Sequence, residues 1–259
     1  MSWSMTWLMV SGTFWLTLAS AEPQRLTAQS SPHTVAFLEL YTSEGCNSCP
    51  PADTWLRSVP TRLRSDQVVP LAFHVDYWNY LGWPDRFAQP GFTQRQRTIA
   101  AQQRQRTIYT PQVILHGQDF RDWRSLSEHV HRINETPARA RITLQVVAHF
   151  PSAVEVAAEA MVPDVAARQQ AAMYVALYEN NLQSMVTAGE NTGHTLQHDF
   201  VTRQWLGPFA VSDQGLVHFQ HRLTLAKDWQ ASQLGIVVLV QQPHNSDVLQ
   251  TLALPLGQP

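Results

Sequence analysis

From Arg141 onward the chain alternates. The runs RITLQVVAHF (141–150), AVEVAAEAMV (153–162), AMYVALYEN (172–180), GLVHFQHRLTL (215–225), LGIVVLVQQ (234–242) and DVLQTLALPL (247–256) place apolar residues at a period close to two. Pro, Asp, Asn or Gly separates them. A period of two sends successive side chains to opposite faces of a strand, and breakers at this spacing turn the chain back on itself. Only Val165–Gln170 hints at a helix. Residues 138–259 therefore read as an antiparallel β-sandwich domain, a size usual for that architecture.

The first half has another texture. Val35–Tyr41 is an apolar run broken only by Glu39, a pattern of a buried strand. Next come the only two cysteines of the 259 residues, in TSEGCNSCPPAD (42–53). Ala52, Trp55, Leu56 and Val59 then fall at helical spacing. QVVPLAFHVDYW (67–78) predicts a second strand, 92–108 a helix without breakers, Gln112–Leu115 a third strand turning at Gly117, and 123–134 a helix. The texture changes near Thr136-Pro137, which sets an α/β domain at 33–137. Composition agrees with a globular chain: 44% hydrophobic and 15% charged residues, net charge −2. That charge supplies no field to collect nucleic acid or acidic lipid.

The segment MSWSMTWLMVSGTFWLTLASAEP opens the chain. Its apolar stretch, about Met5 to Leu18, ends in Ala19-Ser20-Ala21, small residues suited to a signal peptidase. The competing reading, an uncleaved anchor, needs about 20 apolar residues, and Ser11, Thr13 and Thr17 dilute this stretch. A signal peptide at 1–21 is expected, followed by a polar leader at 22–32, with export to a bacterial periplasm or beyond. No later segment predicts a membrane span in the mature chain.

A strand–C-x-x-C–helix order has a chemical rationale. A thiolate at a helix N-terminus meets unpaired N–H groups and the positive end of the helix dipole. Cys46 is the expected nucleophile and Cys49 the resolving thiol. As a staple the pair is poor: closing so short a loop restricts the unfolded chain by about 2 kcal/mol, against about 4–5 for a loop near 100 residues. With Cys49 as N-cap, Pro50 falls at the first helical position, where proline is favoured. Thr110-Pro111 stands at the entrance of the third strand. HVDYWNYLGWPDRF (74–87) supplies Trp78 and Trp83 as candidate substrate-binding rings, with His74 and Asp76 as candidate proton carriers. The same cysteines with His74 make an alternative copper(I) set. Arg95, Arg97, Arg104 and Arg106 read as a solvated helix face, and His194 and His198 as exposed residues of a turn and strand.

The segments VAFLELYTSEGCNSCPPAD, AFHVDYWNYLGW and YTPQVILHG resemble the thioredoxin-like superfamily. More narrowly, together with GENTGHTLQHDFVTR (189–203), they resemble a secreted bacterial family catalogued as domain of unknown function 1223, over about residues 34–257. The resemblance implies a thioredoxin-like domain followed by a β-rich part, a redox dithiol at Cys46 and Cys49, and a cis-proline at Pro111 beside Thr110, where a substrate backbone would lie. It names no substrate. Asn47-Ser48 replaces the usual Gly-Pro between the cysteines, and Pro50-Pro51 interrupts the helix start.

The expected function is an exported thiol–disulfide oxidoreductase acting on protein or peptide thiols, with no cofactor beyond the cysteine pair. Two alternatives stand beside it: a copper-binding or copper-delivery protein using Cys46, Cys49 and His74, and a non-catalytic interaction protein on the same scaffold.

Overall fold

The structure is a computed structural model that describes residues 24–257. The expected signal peptide at 1–21 lies outside the described residues. In chain order the elements are β1 (Gln24–Gln29), β2 (Ala36–Thr42), α1 (Pro50–Arg57), β3 (Val68–His74), α2 (Pro90–Gln102), β4 (Gln112–Leu115), β5 (Gln118–Asp119) and α3 (Leu126–Asn134). There follow β6 (Arg141–His149), β7 (Ala153–Met161), α4 (Val165–Arg168), β8 (Ala172–Glu179), β9 (Leu182–Met185), β10 (Thr195–His198), β11 (Val201–Ala210), β12 (Leu216–Thr224), β13 (Leu234–Gln242) and β14 (Asp247–Pro255). All six alternating runs form strands.

Eight strands make one sheet in the order β14-β13-β8-β11-β3-β2-β4-β5. A four-stranded sheet, β1-β6-β7-β12, packs against part of it. The expected boundary at 137–138 is therefore crossed by a continuous sheet. The joint is the parallel contact of β11 with β3, Val201 opposite Ala72, where Ala72 N–H donates to the Phe200 carbonyl at 2.8 Å. Every residue of β3 is buried, and its backbone groups have no water to turn to, so both its edges need a partner strand.

Side-chain alternation assigns the layers. Met173, Val175 and Leu177 of β8 face the four-stranded sheet, while Tyr174, Ala176 and Tyr178 face the other side. On that other side they share a core with Phe37, Tyr41, Leu71 and Phe73, and with Phe92 and Ile99 of α2. The opposite face of β2 and β3 is covered by Leu56 of α1 and by Leu126 and Val130 of α3. Beyond Ala153 at the start of β7, the strands β6 and β7 bury alternate residues, because one face meets solvent.

Three local expectations changed. The polar leader contains β1, whose residues alternate in exposure and pair antiparallel with β6. Helix α2 stops at Gln102 rather than 108: Arg104 takes φ 55°, and Gln105 N–H reaches back to the Ala100 carbonyl at 2.8 Å, a closing pattern of helix ends. Arg95 is not on a solvated face. Its guanidinium lies over the Trp205 ring and donates twice to the fully buried Glu39, at 2.7 and 3.0 Å.

Removing one partner of a buried ion pair strands the other charge. Arg95→Met should lower the unfolding free energy by about 3–5 kcal/mol in urea titrations. Glu39→Gln added to it should recover a large part of that loss.

Candidate functional site

Strands β2 and β3 run parallel, and their carboxyl ends, Thr42 and His74, lie side by side. Such strand ends collect functional residues because the loops that leave them are free to vary. Here the Ser43–Cys49 loop leaves β2 and enters α1. Gly45 makes that path possible: a β-carbon there would come to 3.0 Å from the Trp78 β-carbon and 3.3 Å from its carbonyl oxygen. Cys49 is the N-cap of α1 and Pro50 its first residue, as the two prolines predict. The Ala52 and Asp53 N–H groups donate to the Cys49 carbonyl at 2.9 and 3.1 Å.

Cys46 and Cys49 are joined as a disulfide with their α-carbons 5.4 Å apart. Both are 0% exposed, a departure from the sulfurs at an open mouth that a nucleophile needs. Only Asn47 and Ser48 of the loop are exposed.

The aromatic segment anchors this loop instead of standing as an open wall. Trp78 Nε1 donates to Thr110 Oγ1 at 2.7 Å, and Trp83 Nε1 donates to Glu44 Oε2 at 2.8 Å. Trp78 bridges the loop to Thr110, whose bond to Pro111 is cis. Thr110, Pro111, Trp78 and Trp83 are all half-buried. Asp76 accepts from Thr93 Oγ1 at 2.6 Å.

Beneath the loop lies a cluster of buried ionisable groups. His74 Nδ1 is 2.6 Å from Asp85 Oδ2, which also accepts from the Glu44 N–H at 2.9 Å. His198 Nε2 stands 3.3 Å from Glu44 Oε1, and its Nδ1 stands 3.7 Å from Asp53 Oδ2. The two imidazole rings meet edge to face with centroids 4.9 Å apart. His198, expected on the surface, is thus buried. For the copper alternative, both sulfurs are committed to each other and His74 Nδ1 to Asp85. Among the described residues no three His, Cys, Asp or Glu side chains are arranged to hold a metal ion.

The loop is also held by residues distant in sequence. Asn191 Nδ2 donates to the carbonyls of Glu44 and Cys46, at 2.8 and 3.0 Å, and Glu190 Oε2 accepts from the Asn47 N–H at 3.0 Å. Asp85, Glu190 and Asn191 carry no periodic signal. Their partners lie far away in sequence, and only the recurrence of GENTGHTLQHDF in the resemblance pointed to the region.

A family profile described as protein of unknown function, DUF1223, matches residues 37–241. The chain belongs to the DUF1223 family. The matched span runs from β2 into β13, so the cysteine loop, the buried cluster, Glu190 and Asn191 are all within the DUF1223 region. A crystal structure of a protein from Agrobacterium tumefaciens is similar at 24% identity and a TM-score of 0.63, over 88% of this chain and 98% of that one. HBP35 of Porphyromonas gingivalis is similar at 13% identity and a TM-score of 0.66, over 89% of this chain and 78% of that one. These likenesses concern the fold. No curated protein matches the chain.

The cluster makes the stability of this DUF1223 protein pH-dependent. Burial pulls the His74 pKa down, but Asp85, Asp53 and Glu44 more than offset it, and the net direction is up. Burial pushes Asp85 up, yet the His74 charge and the N–H groups of Glu44 and Phe87 hold it below the usual carboxylate range. Glu44 is likewise lowered: burial opposes, while His198, Ser184 and Trp83 prevail. Burial raises Asp53 against the pull of His198 and His74. The lowered carboxylates stabilise the fold above about pH 4 and lose that contribution as pH falls through their folded values. The raised His74 stabilises fully below about pH 6.5 and loses its contribution as pH rises through its folded value, and the raised Asp53 acts in the same sense from about pH 4 upward. His116, whose pKa burial lowers to about 4, acts in the opposite sense and favours the fold at the higher pH. The cluster is therefore read by comparing variants: the thermal midpoint at pH 5.5 relative to pH 8.5 should be higher in the parent than in Asp85→Asn, which lacks the main charge raising His74. An equal midpoint difference in parent and variant would contradict the assignment.

Proposed function

We propose that this protein is an exported thiol–disulfide oxidoreductase whose reacting groups are Cys46 and Cys49. The observation that carries the reading is the position of that pair. The two cysteines are bonded to each other at the N-terminus of a helix, outside the carboxyl ends of two parallel strands. The surrounding topology supports a thioredoxin-like reading of the first half. Strands β3, β2, β4 and β5 are neighbours in that order, β2 and β3 parallel and the others antiparallel, with α1 in the crossover and α3 after β5. Export rests on the apolar opening segment with Ala19-Ser20-Ala21. No helix among the described residues is long and apolar enough to cross a membrane.

The exchange has two steps. A partner thiolate attacks one sulfur of the pair, the Cys46–Cys49 bond breaks, and the released cysteine leaves as a thiolate that takes up a proton. A second partner thiol then displaces the remaining cysteine. The partner leaves as a disulfide, and the protein holds two thiols and two electrons. The reverse sequence oxidises the protein, with Cys46 as the attacking thiolate. Thr110, tied to Trp78, would border the partner's backbone, and Trp83 holds the same loop through Glu44.

One observation favours a second reading. Complete burial of both sulfurs fits an interaction protein whose disulfide stays closed. Equilibration in glutathione redox buffers followed by thiol alkylation separates the two. The oxidoreductase should show one two-electron transition. Cys49→Ser should trap partner proteins as mixed disulfides, and Cys46→Ser should abolish both. A disulfide that stays oxidised across the whole glutathione range, with no trapped partner, would leave the interaction reading in its place.

A further inference from the structure

The disulfide has no exposed surface, and the loop that carries it is tied to a separate piece of structure. Strands β9 and β10 pair only with each other and join neither large sheet. A two-stranded ribbon is at best marginally stable alone, so the position of this arm depends on what its inner face touches. Leu182 and Ser184 of β9 and Leu196 and His198 of β10 point inward, while Gln183, Met185, Thr195 and Gln197 are exposed.

The arm is held by the aromatic segment, where Leu182 packs with Phe87 and Arg86 donates to the Gln183 carbonyl, and by the cysteine loop. Asn191 spans the carbonyls on both sides of Gly45, Glu190 accepts from the backbone of Asn47, and His198 faces Glu44 and Asp53. Gly189, at φ +76°, lets the arm's turn settle near Trp83 and the Leu81 carbonyl. At the base of the arm, Arg57 of α1 donates to Gln197 and Asp199. None of these contacts is a hydrogen bond of either large sheet, so the arm can detach while both sheets remain intact.

We propose that the β9–β10 arm is a gate over the disulfide, and that thiol exchange proceeds only from a state in which Asn191 and Glu190 have released the cysteine loop. The inference rests on the thiol-exchange reading and adds its regulation. Exchange needs a thiolate to reach a sulfur atom, and a sulfur with no accessible surface offers none. The closed arm excludes small thiols and protein partners alike. A productive partner is one that displaces the arm or meets it open, so the gate limits exchange with unselected thiols.

The test is the rate at which dithiothreitol reduces the disulfide in the full chain, read by alkylation and mass. Each turnover converts dithiothreitol to its cyclic disulfide and leaves thiols at Cys46 and Cys49. The reference is a disulfide-closed peptide of residues 43–52. The full chain should react about a hundredfold or more slowly than the peptide. Asn191→Ala loses two buried hydrogen bonds of the closed state and should react about ten- to a hundredfold faster than the parent. Glu190→Ala should gain about fivefold, and His194→Ala, an exposed change in the same arm, should gain nothing. Circular dichroism and the thermal midpoint verify that each variant is folded. The gate is overturned if the parent reduces as fast as the peptide, or if folded Asn191→Ala stays within twofold of it. If Asn191→Ala does not fold, the peptide comparison and Glu190→Ala decide by the same limits. A disulfide that obeys the gate yet exchanges with no partner would refute the oxidoreductase reading and leave the gate standing.

Discussion

A single stretch of backbone pairing organises the molecule: β11 laid parallel along β3 at Ala72. β3 is buried on both faces and would otherwise present an unpaired edge in the interior. Once β11 fills that edge, β8, β13 and β14 extend the same sheet, and an aromatic and aliphatic core runs without interruption from Phe37 and Phe73 to Tyr174 and Tyr178. The same joint sets the arm. Only Asp199 and Phe200 separate β10 from β11, so anchoring Val201 beside Ala72 brings residues 182–198 above the strand ends where the cysteine loop begins.

The site at those strand ends is unusual for how much charge it buries. Glu44, Asp53 and Asp85 share a pocket of the interior with His74 and His198, all at most 5% exposed. Such groups are tolerated only when they face one another. Their contacts link the loop before Cys46, the first turn of α1, the end of β3, the aromatic segment and β10. One electrostatic unit therefore links five pieces of chain, alongside the apolar contacts that join some of them. Its protonation bears on the disulfide's surroundings through Glu44, two residues before Cys46, and Asp53, one turn after Cys49.

Much of this architecture was legible in the sequence. The alternating runs marked six strands: β6, β7 and β12 bury one face, which leaves a period of two, whereas β8 and β13 are buried on both faces and read as strands through their apolar content. The apolar run, paired cysteines and paired prolines marked β2, the loop and the start of α1, with Cys49 as the cap, because proline admits few positions at a helix start. Other elements were hidden for physical reasons. β1 is short and polar on one side. Arg95 reads as a surface residue until Glu39, 56 positions away, is seen to be its partner. His198 belongs to a motif that suggests a turn, yet its ring is buried against another histidine.

The sequence by itself determined the local conformations: strand periods, the helix start at Pro50, the turn at Gly117 and the pairing of two thiols too close to staple anything else. Those depend on neighbours within a few residues, whose sterics and alternation are written in order along the chain. Only the tertiary structure decided that both halves share one sheet, that five ionisable groups meet under the loop, and that Glu190 and Asn191 bind the backbone of the cysteine loop. Those contacts join segments up to 147 residues apart, where no period or spacing records which partner will arrive.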